Sequence, residues 1–505
     1  MKDSEIIQKV LEEGETEYAE FKKSENNFPV DALKTISAFA NTNGGYLYLG
    51  ISEPSELNYK ITGVPKPQKV IDGMFTLLNN PSKINRNPIS DSNIKILKFG
   101  EMPSLNVIVV EVPKANYKEK PIYLNENPNQ SYYRQGTSDF KCTREMVQSM
   151  ERDASAEPFD SKCLEAYSIS DFDLKTVRNY RSAFAELNPE HPFNSLENET
   201  FLLKIHALTK DRNSGSIVPT VAGLLVFGTH ISIKDFLPHY NVEYIRKTNK
   251  DKNIGYSDRV IYDGVWGEDN LYNFFSIIIE KLYLSLSDSS EMQKNQIVRS
   301  TTSKLRLALR EALVNSIIHC DFAAQKGIEI LRYPDRFIFS NGGTLRIPER
   351  DFYTGGHSAP RNYYIQEIFR LVGLCEKAGT GIPKIMDAVK TYSLQYPEFI
   401  NSMDSFELII WDVSITSEAK NEIETKILEL IVANKMVTVN EISQALGIHR
   451  NTASKYLSIL MDRGILERKM LKGSYRHFIS QSDDFQKYNL LNSIYSMLEE
   501  ANRRG

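Results

Sequence analysis

Glu311, Asn315 and His319 recur every fourth residue in REALVNSIIH (310–319). On a helix, that spacing lines a carboxylate, an amide and an imidazole along one face of an otherwise apolar surface. Such a stripe costs free energy in a core unless something polar lies beside it. The spacing alone is equally that of a solvent-facing helix. Three later segments favour an occupant. SNGG (340–343) closes an apolar run, so that Asn341, Gly342 and Gly343 bring bare backbone within reach of a ligand. GTGIPKI (379–385) is a glycine turn, with Gly379, Thr380 and Gly381, that opens a helix whose first amides suit phosphate. Between them, TGGHSAPRNYYIQ (354–366) carries Arg361 and Asn362 in a polar loop suited to closing over a nucleotide.

A second constellation is basic. From Gly447 to Arg476 there are seven Lys/Arg against two acids, although the whole chain carries a formal charge of -4. Arg450, Asn451, Thr452 and Lys455 open the helix 449–464, where side chains reach base edges and phosphates. Lys469, Lys472 and Arg476 follow in a hairpin. The elements that must position them are legible. ETKILELIVAN (424–434) is amphipathic, and Thr438 and Glu441 are spaced as a capping box. Gly447 supplies a tight turn, and Ala453, Leu457 and Leu460 face inward from the third helix. Helix, turn, helix and wing is a winged helix-turn-helix that lays its third helix in the major groove. The alternative is a winged helix used for protein contacts.

The 505 residues are 41% hydrophobic and 25% charged, a composition that excludes a collagen-like or wholly disordered chain and calls for several domains. Sixty-one Lys+Arg against 65 Asp+Glu exclude a global basic field, so nucleic-acid contact must be local. No apolar run approaches a membrane span, the charged start lacks a signal-peptide core, and the four scattered cysteines form no CxxC. A cytoplasmic protein is expected. Strands are expected within 16–24, 44–51 and 106–114, and a helix over 31–42. Trp266 and Trp411 read as core residues.

The ordered set of Glu-xxx-Asn helix, strand-NGG, loop and GTG helix resembles the GHKL ATPase fold, closest to its divergent branch in bacterial regulators and helicase-like proteins. The resemblance implies ATP with Mg²⁺. Asn315 would hold the metal, Glu311 would be the water-activating base, and Gly379 and Gly381 would line the phosphates. Arg361 and Asn362 would sit in the lid, with His319, Thr380, Gly342 and Gly343 beside the nucleotide. The family's adenine-binding Asp is Asn341 here, which presents a different donor pattern.

ETEYAEFKKS (15–24), SAFANTNGGYLYLGI (37–51), NYKEKPIY (116–123) and YYRQGTS (132–138) resemble the Schlafen-type, AlbA-like domain. That resemblance implies nucleic-acid binding. In Schlafen nucleases it implies a metal held by two Glu five residues apart and a third acid after the glycine strand, which here are Glu15, Glu20 and Glu53; Glu15 and Glu20 are equally read as salt-bridged surface residues.

The expected architecture is α+β and multidomain. It has an AlbA-like domain (1–152), a mixed connecting domain (165–294), a GHKL-like α/β sandwich (295–413), a winged helix (420–482) and a helix or tail (483–505). The expected function is an ATP-binding, DNA-binding regulator that works as a homodimer. The alternative is a metal-dependent RNase acting on tRNA or another structured RNA with Mg²⁺ or Mn²⁺, in antiphage defence.

Overall fold

The computed structural model describes residues 3–55, 58–100, 104–248, 255–263, 265–290, 298–349, 352–353, 356, 358–375, 379, 381–392, 394–412, 419–434, 436–463, 465–471 and 474–479. The expected tail 483–505, Thr380 and Lys472 lie outside them, as does the side chain of Lys469. The chain divides into two compact units.

The first unit contains α1 (Asp3–Glu13), β1 (Ala19–Lys22), α2 (Ala32–Asn41), β2 (Gly45–Leu49), β3 (Ile51–Ser55), β4 (Asn58–Ile61), α3 (Pro67–Leu78), β5 (Ile94–Phe99), β6 (Leu105–Val112), β7 (Tyr132–Gln135), β8 (Ser138–Lys141) and α4 (Arg144–Ala154). Its sheet has the order β1-β2-β6-β5, with β1 parallel to β2 and the other pairs antiparallel. Successive strand residues point to opposite faces, which explains why GYLYL is buried throughout. Leu47, Leu49, Ile108 and Val110 pack with α2 and α3 on one face, and Tyr46, Tyr48, Val107 and Val109 pack with α1 on the other. YYRQGTS forms a hairpin arm, turn and return strand.

The second unit contains α5 (Leu174–Leu187), α6 (Asn198–Lys204), β9 (Leu208–Lys210), β10 (Ile217–Pro219), α7 (Val221–Phe227), α8 (His230–Phe236), β11 (Val242–Lys247), β12 (Tyr256–Val260), α9 (Leu271–Ser290) and α10 (Val298–Ile318). It continues with β13 (Ile328–Arg332), β14 (Arg336–Gly342), α11 (Tyr363–Leu371), α12 (Gly381–Thr391), β15 (Glu398–Asn401) and β16 (Ser405–Trp411). One six-stranded sheet runs β12-β11-β13-β14-β16-β15. β11 pairs parallel with β13, so two strands from before residue 294 complete a sheet otherwise drawn from the 295–413 segment. The sheet therefore crosses the boundary expected from composition. α10 packs against α9, α11, α12 and β14. Trp266, read as core, is 40% exposed with Lys281 Nζ 4.6 Å from its ring centre; the lysine covers an indole the loop leaves at the surface.

α13 (Glu422–Asn434), α14 (Val439–Leu446), α15 (Arg450–Asp462), β17 (Leu466–Leu471) and β18 (Ser474–Ile479) follow in winged-helix order. Ile427, Leu428, Ile431, Ile442, Ala453, Leu457, Leu460 and Leu466 form their own core. The capping box at Thr438 and Glu441 is formed in both directions, and Gly447 takes the left-handed conformation (φ 64°) that ends α14. Among the described residues no helix is long and apolar enough to cross a membrane.

Candidate nucleotide and nucleic-acid sites

The face of α10 that carries Glu311 and Asn315 meets the start of α12. A Cβ on Gly381 would lie 3.0 Å from Asn315 Nδ2 and 3.3 Å from Glu311 Oε2, so glycine is what permits this approach. Glu311 is buried, and its Oε1 accepts from Lys384 Nζ at 2.9 Å. Asn315 and His319 are half-buried along the same helix. Lys384, one turn into α12, went unnoticed in the sequence; its i+3 offset from Gly381 was the available signal.

The remaining expected nucleotide residues do structural work instead. Arg361 is buried, and it donates to the carbonyls of His319 (2.9 Å) and Thr344 (2.7 Å). Asn362 Nδ2 donates to the carbonyls of Ile317 (3.1 Å) and Cys320 (2.8 Å), and both backbone amides reach Ile318 O. The last carbonyls of a helix lack intrahelical partners, and this pair supplies them for α10. The pair expected in a lid is bonded here to the end of α10. Gly343 (φ 90°) leaves room for the same guanidinium, because a Cβ would sit 2.7 Å from Arg361 Cζ. Gly342 packs against Lys326 O, where a Cβ would be 2.2 Å away. Asn341 is buried and donates to Gly342 O at 3.0 Å. The fit to a Mg²⁺–nucleotide is therefore partial. Asn315, the glycine backbone at Gly379 and Gly381, and the Lys384 ammonium suit metal and phosphate, whereas Arg361, Asn362, Gly342 and Gly343 are committed to the fold.

In the first unit, Glu20 sits on β1 opposite Leu47 and is 7% exposed. Its Oε1 lies 2.7 Å from Lys22 Nζ and its Oε2 lies 2.8 Å from Arg134 Nη2. Arg134 is buried, also pairs with Asp139 at 3.0 Å, and donates to Thr16 O. Glu15 Oε1 accepts from Phe21 N at 2.9 Å. Burial raises the Glu15 pKa, opposed by that hydrogen bond and assisted by repulsion from Glu20 and Glu53. Glu53 is exposed. Glu15 is thus near enough to feel both Glu20 and Glu53, but among the described residues no group of three or more His, Cys, Asp or Glu is placed to hold a metal. Lys22 and Arg134 neutralise Glu20, as the salt-bridged reading of this residue expects. Residue spacing carried no sign of Arg134 as a partner, because it comes from 114 residues downstream.

On α15, Arg450, Asn451 and Lys455 are exposed and Thr452 is half-buried. His449 caps the helix, its Nδ1 accepting from Asn451 N at 3.3 Å. Arg463 is instead tied to the buried Glu424 at 2.9 Å. In the hairpin, Arg468 lies 4.7 Å over the exposed Tyr475 ring, and Arg476 Nη1 is 3.8 Å from Glu441.

The family model "Schlafen, AlbA_2" matches residues 15–143, and "Putative ATP-dependent DNA helicase recG C-terminal" matches 325–410. The chain joins a Schlafen AlbA_2 domain to a RecG C-terminal-type ATPase domain. Two families of unknown function, DUF8451 and the bacterial DUF977, match residues 148–243 and 413–484. The AlbA_2 match holds Glu15, Glu20, Glu53 and Arg134; the RecG-type match begins after Glu311 and Asn315 and contains the α12 glycines. A search of the curated proteins matches none. Among solved structures, the chain is similar to the crystal structure of the DIP2311 protein from Corynebacterium diphtheriae, at 16% identity and TM-score 0.39, over 94% of this chain and 83% of that one.

Within the stretch matched by DUF8451, the buried Asp160 caps α11. Its Oδ2 accepts from Ile365 N at 2.9 Å, and burial pushes its carboxyl up to about 7 against the pull of amides at 363–365.

Proposed function

We propose that the protein is a nucleic-acid-binding regulator whose winged helix binds duplex DNA and whose ATPase-type domain binds a Mg²⁺–nucleotide that changes that binding. The observation that carries the reading is α15. Its Ala453, Leu457 and Leu460 are locked in a core while Arg450, Asn451 and Lys455 stand exposed at its N-terminal end. That is the arrangement by which a recognition helix presents contacts to a groove. In the ATPase-type domain, Asn315 would be the amide ligand for the metal, the Gly379 and Gly381 backbone would line the phosphates, and Lys384, which is held by Glu311, would offset their charge. ATP would supply an exchangeable anionic group whose presence or loss alters the surroundings of α12. A homodimer is expected by analogy with winged-helix and GHKL proteins.

The metal-dependent RNase alternative draws no support from Glu20, whose two oxygens are both held by cations. The deciding experiment is fluorescence anisotropy with a pool of duplex DNA, with and without Mg²⁺–ATP. Duplex binding that shifts with nucleotide supports the proposal, and no duplex binding at low salt overturns it.

A further inference from the structure

Residues 345–349 lie inside the stretch matched by the RecG-type family, yet they pack as part of the first unit. Arg346 anchors this short strap. Its Nη2 donates to Asp153 Oδ1 at 2.5 Å, and its guanidinium lies 4.7 Å over the Tyr117 ring. Both members of the ion pair are about nine-tenths buried, with 11% and 10% side-chain exposure. Three residues further on, Glu349 comes near enough to Lys114 and Lys120 to act on both charges.

The two lysines hang over the end of α2. Lys120 Nζ donates to Asn41 O, and Lys114 Nζ donates to Asn43 Oδ1 at 3.3 Å. Both acceptors are neutral. Burial depresses both ammonium groups, and Lys114 depresses Lys120 further. The groups that oppose this are Asp153, the Cys142 thiol and Glu349. Burial itself pushes that thiol up to about 12, so it stays neutral, and Asp153 is engaged by Arg346. Within the matched AlbA_2 stretch, then, two half-buried lysines donate to neutral oxygens, and the strap brings a carboxylate that acts on both. Like charges held close together and partly away from water repel, and an anion that joins them relieves the cost. A phosphate carries the charge and the several acceptor oxygens that two ammonium groups can share.

We propose that Lys114 and Lys120 form a phosphate-binding site of the AlbA_2 domain for a nucleic-acid backbone, and that Glu349 on the strap is its built-in competitor. The proposal rests on the nucleic-acid-binding reading given above. It adds a second contact point, distinct from α15, and a way to control it. Release of the strap, which leaves β14 only two residues after Gly342, frees the lysines.

The test uses the full chain carrying Arg450→Ala and Lys455→Ala, which silences α15. Binding of a labelled single-stranded RNA is followed by anisotropy, and binding of inorganic phosphate by calorimetry. Glu349→Gln should tighten RNA binding about fivefold or more, and Arg346→Ala should do the same. Adding Lys120→Met or Lys114→Gln should remove the gain; thermal melts identify any variant that fails to fold, and Lys114→Gln keeps a donor for Asn43. Inorganic phosphate should compete with the RNA. Unchanged affinity in Glu349→Gln, or a gain that survives Lys114→Gln, overturns the proposal. Uptake of inorganic phosphate by Glu349→Gln without RNA binding upholds the site and removes the nucleic-acid reading of this domain instead.

Discussion

Replacing Arg450 and Lys455 by Ala tests the recognition helix most directly. Both side chains are exposed at the start of α15, and no acid among the described residues pairs with either. Each phosphate neutralised by such a cation releases condensed counterions, and log Kobs falls with log salt by about 0.9 per contact. Losing both contacts should therefore flatten the slope by about 1.8. Over a fourfold rise in salt, from about 50 to about 200 mM, the affinity gap between wild type and variant should narrow by about tenfold. The assay is anisotropy with one duplex across a salt series. Arg463→Ala is the control. Its guanidinium is spent on Glu424, so it should lower stability and leave the slope alone. A double variant whose slope equals that of wild type would refute the placement of these side chains on DNA.

Asn315→Ala should abolish calorimetric binding of Mg²⁺–ATP while the circular dichroism spectrum is retained, because it removes the half-buried amide beside Gly381. Glu20→Ala should cost about 3 kcal/mol in denaturant unfolding of the first unit, since it strips a buried arginine of a counter-charge; with total tRNA and Mn²⁺, wild type and variant should leave the RNA equally intact. Asp160 holds its proton up to about pH 7 in the folded chain and to about 4 when unfolded. Its contribution to stability is therefore greatest below about pH 4, falls as pH rises towards 7, and stays low above that. The difference of about three units corresponds to about 4 kcal/mol. Asp160→Asn should flatten that part of the stability profile, and a carboxyl resonance titrating near 4 in the folded protein would contradict it.

Local rules determined much of this protein. The capping box at Thr438 and Glu441, the left-handed turn at Gly447 and the inward spacing of Ala453, Leu457 and Leu460 depend on residues within a few positions of one another. The same holds for the helix over Ala32–Asn41 and the strand entered through Gly45. Side-chain partners were not legible where they come from a distant part of the chain. Arg361 and Asn362 read as free polar loop residues because their acceptors are helix-end carbonyls more than 40 positions upstream. Glu15 and Glu20 left a metal-ligand and a salt-bridged reading open, because nothing in their spacing shows Arg134 arriving from β7 to join Lys22 at Glu20. The sheet also took β11 and β12 from across an expected boundary, since strand pairing follows spatial adjacency and not composition. Sequence periodicity reports which face of an element is apolar, whereas the commitment of a charge is decided by whichever opposite charge or carbonyl the tertiary fold brings within about 3 Å.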